Sequence, residues 1–329
     1  MTNARDLTNI IGNLSTSFIQ SCVLFAANEA NVFALLNEPT DTASVAEQLK
    51  WPVRTTRMLL DALVAIDLVV HHRGQYLNTE LAATCLVPGR PHYQGHIIQH
   101  NANSAPLWLQ LGESLRTGKA VRATGEERSP EELRAFILGM SDIGRLSARE
   151  MVDMIDLSPF TNMLDVGGGP GTYALTFLEE CPGMRATVFD RPAVLEIARE
   201  QAASAGLTGR ITFQEGDLTT DSLGEGYDLV LVSNIIHSYS AETNKQLVVK
   251  CFDALVSRGT LIVKDFLTND DRSGPAFSLL FALRMQIANG EGDTYSCSEV
   301  ASWTDDAGFQ YGRLINLSPQ TRLWLVTKP

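Results

Sequence analysis

The sequence predicts an α/β chain in two parts. A helical segment ending in a winged helix precedes a mostly parallel sheet of seven strands closed by an antiparallel hairpin. Three observations predict it. Short apolar runs at 163–166, 186–189, 211–213, 229–232 and 261–263 alternate with stretches of helical periodicity. Runs that are apolar throughout are strands buried on both faces, as in a parallel sheet covered by helices. The first run opens into a glycine-rich turn, Gly167-Gly168-Gly169-Pro170-Gly171. The chain ends in two strand candidates, 310–314 and 322–327, with no long helix between them, which calls for a hairpin.

The 329 residues exceed what one nucleotide-binding domain needs, and the amino-terminal pattern accounts for the surplus. Residues 1–36 show helical spacing, with Ile10, Ile11, Leu14, Phe18, Cys22 and Phe25 three or four apart, until Asn37-Glu38-Pro39-Thr40 breaks the run. A short helix at 43–49, a turn at Trp51-Pro52, a longer helix at 53–66 and two strands, 68–72 and 75–78, joined through Arg73-Gly74, complete a winged helix. Residues 91–116 and 130–157 read as helices separated by a Gly-, Thr- and charge-rich linker at 117–130. The expected division is a helical winged-helix domain over 1–104 and a ligand-binding domain over 105–329.

Charge decides what the winged helix does. The chain has 38 acidic and 26 basic residues, a net charge of −12, and its would-be recognition helix offers only Arg54 and Arg57. Phosphate binding needs several cations on one face, so packing or dimerisation is expected and nucleic acid is not. No apolar run approaches the length of a membrane span and no secretory signal stands out, so no membrane partner is expected. Five scattered cysteines without a Cys-x-x-Cys pair read as free thiols of a reducing cytoplasm.

The chemistry gathers at three consecutive strand ends. After Leu164-Asp165-Val166 the glycines let the backbone take positive φ and let a ligand approach closely, with Gly167 and Gly169 as the contact positions. A dinucleotide fingerprint would want glycine at 172, where this chain has threonine, and Pro170 removes an amide that a pyrophosphate would use. A nucleoside ligand without phosphates fits better. Asp190, about 20 residues on, can grip two ribose hydroxyls. Asp217 can accept from an adenine amino group while Leu218 packs on the base. Either acid could instead cap a helix.

These motifs resemble those of class I S-adenosylmethionine-dependent methyltransferases, and among them the dimeric small-molecule O-methyltransferases of caffeic acid and hydroxyindole type with their bacterial relatives. The matching text is Leu164 through Gly171, Val188-Phe189-Asp190-Arg191-Pro192, Glu215-Gly216-Asp217, Ser233-Asn234-Ile235-Ile236-His237, Gly259 through Phe266 and Ala307-Gly308-Phe309, with Gly139-Met140-Ser141-Asp142 upstream. The resemblance implies a Rossmann-like methyltransferase sheet, S-adenosyl-L-methionine as cofactor with S-adenosyl-L-homocysteine as product, a homodimer formed through the winged-helix segment, and a small-molecule methyl acceptor. It implies that His237, after the fourth strand, is the general base. An acceptor hydroxyl must lose its proton as it attacks the methyl, and imidazole suits that task. It aligns Asp265 with the acid that orients this base, where the family usually has Glu. Other departures are Ser238 for a frequent Asp, Ser233 for the Lys of plant members, and Thr294, next to Asp293, for a second acid. The family places positions matching Phe136, Met140, Met285 and Asn289 around the substrate, and Phe281 shares the helical spacing of Met285 and Asn289.

His92, His96 and His100 share a helical face, but no third-ligand motif accompanies them, and no metal is expected. The expected function is O-methylation of a hydroxyl on a small aromatic or polyketide-like secondary metabolite. The alternatives are the same fold acting on carbon, nitrogen or sulfur or using the cofactor without methyl transfer, and a winged-helix regulator, which the charge disfavours.

Overall fold

The computed structural model describes residues 4–121 and 128–329, so residues 122–127 of the expected linker lie outside the described residues. The chain divides into two compact units, Met1–Ser104 and Ala105–Pro329.

The first unit opens with three helices where the sequence suggested one long run: α1 (Ala4–Thr16), α2 (Phe18–Glu29) and α3 (Val32–Leu35). The second break falls at Asn31, whose φ of 53° is left-handed. Then come β1 (Thr40–Asp41), α4 (Thr42–Leu49), α5 (Val53–Ala65), β2 (Val69–His72), β3 (Gln75–Asn78), α6 (Glu80–Cys85) and α7 (Gly95–Trp108). The three strands pair antiparallel in the order β1-β3-β2, the winged helix expected. Local chemistry sets its corners. Asp41 accepts from the Ser44 amide and starts α4, and Arg73 and Gly74, both at positive φ, make the tight wing turn. Val32, Phe33, Leu36, Leu60, Leu63 and Tyr76 form the core.

One expectation needs correction here. Asp6–Glu29, 24 residues, is long and apolar enough by length and composition to cross a membrane. Interspersed Thr, Asn, Ser and Gln break up the run by eye, but none of them is charged, so the average stays apolar. Leu7, Ile10, Ile11, Leu14, Phe18 and Ile19 are exposed along it.

The second unit holds α8 (Leu111–Thr117), α9 (Pro130–Met154), β4 (Asn162–Val166), α10 (Thr172–Glu180), β5 (Arg185–Asp190), α11 (Pro192–Ser204), β6 (Ile211–Glu215) and β7 (Tyr227–Ser233). A 3₁₀ turn (Ile236–Ser238) leads to α12 (Ala241–Ala254), β8 (Leu255–Asp265), α13 (Ala276–Ala288), α14 (Cys297–Asp306), β9 (Gln310–Asn316) and β10 (Arg322–Thr327). The helix expected over 91–116 starts only at Gly95 and is broken between Trp108 and Leu111. Pro106 removes a backbone donor near its end. The helix expected to run from 130 to 157 stops at Met154. Ser129 and Glu132 form a capping box at its start, with Pro130 in its first turn.

All seven expected strands form one sheet, in the order β6-β5-β4-β7-β8-β10-β9, parallel except for the closing hairpin. Alternation along the strands builds two cores. Leu164, Val166, Val230, Val232, Leu261 and Val263 pack under α12 and α14, while Met163, Leu229, Leu231 and Ile262 pack under α9 and α10. Strand order reverses between β4 and β7, and ligands of such sheets bind outside the strand ends at that reversal.

Candidate active site

The turn after β4 is shaped by absent side chains. Gly167, Gly169 and Gly171 all have positive φ, and a Cβ on Gly167 would fall 2.4 Å from Ile235 Cδ1. Leu218, buried, lies beside the same glycine. Asp190 ends β5 and straps the turn: Oδ2 accepts from the Gly169 amide at 2.8 Å and Oδ1 from the Arg191 amide at 2.8 Å. Burial raises its pKa, and those two amides pull it back. Asp217 stands two residues beyond the end of β6, in a turn. Its Oδ1 accepts from the Thr219 amide at 2.8 Å and the Thr219 hydroxyl at 2.6 Å, which hold the carboxyl below the usual range. Each acid thus ties its own turn and keeps further lone pairs for a ligand.

Among the described residues, several buried polar atoms without hydrogen-bond partners fall on β4, at the end of β7 and at the start of α10. Both carboxylate oxygens of Asp165, the hydroxyls of Thr172 and Tyr173 and the Ser233 hydroxyl are among them. Buried polar groups are ordinarily paired, so such a cluster marks the place of a polar ligand. Burial pushes Asp165 up to about 7; the Ala174 backbone amide, near enough to act on it as a weak hydrogen-bond donor though outside good hydrogen-bond geometry, lowers it, and the charge of Asp190 raises it further. A cradle that a Cβ would fill and a buried acid that wants a cation fit S-adenosylmethionine, whose amino-acid end carries an ammonium. Tyr239, half-buried, carries a phenol whose pKa is raised by burial and by the charge of Asp217. Sequence reasoning missed Asp165, Tyr173, Tyr239 and Lys264. The available signal was a charged residue inside an otherwise apolar strand, at Asp165 and again at Lys264.

His237 lies in the 3₁₀ turn after β7, 8% exposed. Its Nδ1 is 2.7 Å from Oδ1 of Asp265, and its backbone amide is 3.4 Å from Oδ2 of the same acid, which is 2% exposed. The Phe266 amide also donates to Asp265 at 2.8 Å, fixing the carboxylate. In the tautomer with the proton on Nδ1, that nitrogen donates to the carboxylate and Nε2 keeps its lone pair. The shorter Asp therefore reaches the histidine directly, without a bridging water. Thr294 and Asp293 turn elsewhere: the Thr294 hydroxyl donates to the Ser278 carbonyl and Asp293 pairs with Arg272 at 3.5 Å. Phe281 packs edge-on against the imidazole with ring centroids 4.8 Å apart, and Phe266 stacks at 5.8 Å.

The expected acceptor residues separate. Phe281 and buried Met285 share a face of α13 beside His237, and Met140 is half-buried on α9. Phe136 instead packs with Ile137, Val194 and Ile197, and the Arg128 guanidinium stands 4.4 Å over its ring. Asn289 is exposed just past α13. It donates to the Ser238 carbonyl at 2.9 Å and accepts from the Glu291 and Gly292 amides, a tie between two turns. Gly292 is pressed so close to the His237 backbone that a Cβ there would fall 2.1 Å from its carbonyl oxygen.

With this geometry in place, the chain matches the O-methyltransferase domain family over residues 108–310 and the O-methyltransferase dimerisation domain family over residues 13–88. It is 33% identical over 319 residues to a 3-hydroxy-5-methyl-1-naphthoate 3-O-methyltransferase of Streptomyces sahachiroi, covering 94% of this chain and 91% of that one. It is 34% identical to the acetylserotonin O-methyltransferase of Bos taurus, covering 92% of each chain. Among solved structures, human N-acetylserotonin methyltransferase in complex with SAM superposes with a TM-score of 0.91 at 28% identity, covering 100% of this chain and 99% of that one. The chain belongs to the S-adenosylmethionine-dependent O-methyltransferases that carry an amino-terminal dimerisation domain.

Proposed function

We propose that this enzyme methylates a hydroxyl on a small aromatic or polyketide-like molecule of secondary metabolism, with His237 as general base. The observation that carries the assignment is the buried Asp265–His237 pair, which holds Nδ1 and leaves Nε2 for the acceptor hydroxyl. Bound S-adenosylmethionine supplies an electrophilic methyl group. Gly167 and Gly169 let its nucleoside approach the backbone, Asp190 holds the ribose hydroxyls, Asp217 accepts from the adenine, and Leu218 and Ser233 line the same cleft. Phe281, Met285 and Met140 hold the acceptor ring, for which rigid aromatic and adaptable thioether side chains suit a flat molecule. Phe136 and Asn289 serve this wall indirectly, through packing and through the turn that carries Ser238. Relatives named for a hydroxynaphthoate and for acetylserotonin support an aromatic acceptor.

Residues 1–104 are the dimerisation domain and 105–329 the catalytic domain in this reading. A second copy of the chain covers the apolar residues exposed along α1 and α2. Five cysteines, none in a disulfide, fit a reducing cytoplasm.

The test is incubation with S-adenosylmethionine and a panel of hydroxylated aromatics, reading methylated product by mass spectrometry together with S-adenosylhomocysteine release. His237→Ala is expected to keep cofactor affinity and to lose about 10²- to 10⁴-fold in turnover. Wild-type turnover in that variant would remove the base from His237. A product methylated at carbon, nitrogen or sulfur would move the assignment to another class.

A further inference from the structure

Lys264 is a charged residue in the middle of the sheet, next to last in β8, and only 2% exposed. Register places it beside Ser233 of β7, and Asp165 of β4 lies in register with Leu231 two residues earlier on β7. Alternation puts Asp165, Ser233 and Lys264 on the same face, the one covered by α9 and α10. The Lys264 ammonium donates to Asn234 Oδ1 at 3.0 Å and stands 5.4 Å from the centre of the Tyr173 ring. Both of these partners are neutral, and among the described residues no carboxylate lies within ion-pair distance of it. An ammonium has three donors, and one is used.

Folding alone does not explain this lysine. Removing a charge from water costs several kcal/mol unless an opposite charge answers it; of its strand neighbours Val263 is apolar, and the carboxylate of Asp265 is engaged by His237 and the Phe266 amide. On the same face Asp165 is a buried carboxyl with no hydrogen-bond partner, so the two groups do not answer each other. Two strand spacings and two residue rises put their α-carbons about 12 Å apart, too far for a direct pair given that result. What fits between them is a ligand with an ammonium at one point and a carboxylate beside it. An α-amino acid group has that form, and the cofactor ends in one. The hydroxyls of Tyr173, whose ring the Lys264 ammonium faces, and of Ser233, in register with Lys264, lack partners beside it.

We infer that Lys264 binds the carboxylate of the amino-acid end of S-adenosylmethionine, with Asp165 facing the ammonium. Lys264 thereby selects the intact cofactor over nucleosides that lack the carboxylate. Its Asn234 contact has a second consequence. The Asn234 amide donates back to the Lys264 carbonyl at 2.8 Å, so the lysine also holds the left-handed residue from which the His237 turn departs. This role rests on the cofactor assignment alone and is independent of the acceptor and of the base.

Isothermal titration on the full chain tests it with two ligands, S-adenosylhomocysteine and its decarboxylated analogue, which keeps the amine. The wild type is expected to bind S-adenosylhomocysteine about 10- to 100-fold more tightly than the analogue, the worth of a hydrogen bond to a charged group. Lys264→Met should lower S-adenosylhomocysteine affinity by the same factor and change analogue affinity by less than about threefold; Lys264→Arg should restore part of the loss. Equal weakening of both ligands by Lys264→Met would reduce the lysine to a structural role and overturn the inference. The wild-type comparison needs no variant: equal affinity for the two ligands overturns it even if Lys264→Met does not fold. Failure of the wild type to bind either ligand would instead sink the cofactor assignment.

Discussion

Asp165 carries a prediction about the protein with no ligand bound. Burial raises its pKa from an ordinary 3.8 to about 7. Between those values the folded chain keeps a proton that the unfolded chain has released. Stability therefore falls as pH rises through the window, and the penalty is complete above pH 7. At 1.36 kcal/mol per pH unit the full penalty is about 4 kcal/mol, of which about 3 kcal/mol develops between pH 5 and pH 8. Asp165→Asn removes the titration and nearly keeps the shape. Its melting temperature relative to wild type should be more favourable at pH 8 than at pH 5 by about 6–12 °C, at about 2–4 °C per kcal/mol for a unit of this size. Scanning calorimetry of the ligand-free proteins in both buffers gives the number. A difference that changes by less than about 2 °C between the two pH values would refute the reasoning, because it would mean that Asp165 does not keep its proton in the fold. The cofactor turns the effect around. An ammonium beside the carboxyl favours its ionised form, so binding S-adenosylhomocysteine near pH 7 should release up to about half a proton per site. Titrations in buffers of different ionisation enthalpy count those protons, and Asp165→Asn should release fewer.

Two further outcomes follow from the packing around the base and from the exposed helices. Gly292→Ala places a Cβ against the His237 carbonyl, which cannot yield without moving the imidazole. Turnover should drop by about tenfold or more while S-adenosylhomocysteine affinity stays within about twofold, and an unchanged kcat would show that the 290–292 turn moves freely. Ile11, Leu14 and Phe18 are 64%, 71% and 62% exposed, too much apolar surface to leave wet on one helical stretch. Sedimentation velocity should find a dimer in the wild type and monomer in an Ile11→Asp/Phe18→Asp double variant; a wild-type monomer at micromolar concentration would remove the dimer.

Much of the fold and of the candidate site is legible in the sequence because its signals are local. Strand, glycine turn and helix follow one another within 163–180, and the winged helix is spelled by two helices and an Arg73-Gly74 turn within about forty residues. His237 and Asp265 were found by motif, each just after or at the end of an apolar run. Helical spacing was a weaker guide. It put Phe136 beside Met140, but two residues four apart on one helix face can meet different neighbours, and Phe136 meets α11 and Arg128. Asn289 sits in the turn after α13 and ties backbone segments there.

The amino-acid order alone determined the fold class and the cofactor type and singled out His237 as the candidate base, since each of these signals depends on residues near one another in the chain. It could not determine that Asp165 and Lys264, 99 positions apart, stand on one face with no ion-pair partner for either among the described residues. That follows from the strand order, which sets β4 and β8 on either side of β7, and from a register that decides which side chains share a face. A one-residue slip in either pairing would turn these charges away from the ligand face, so their meeting belongs to the packed sheet.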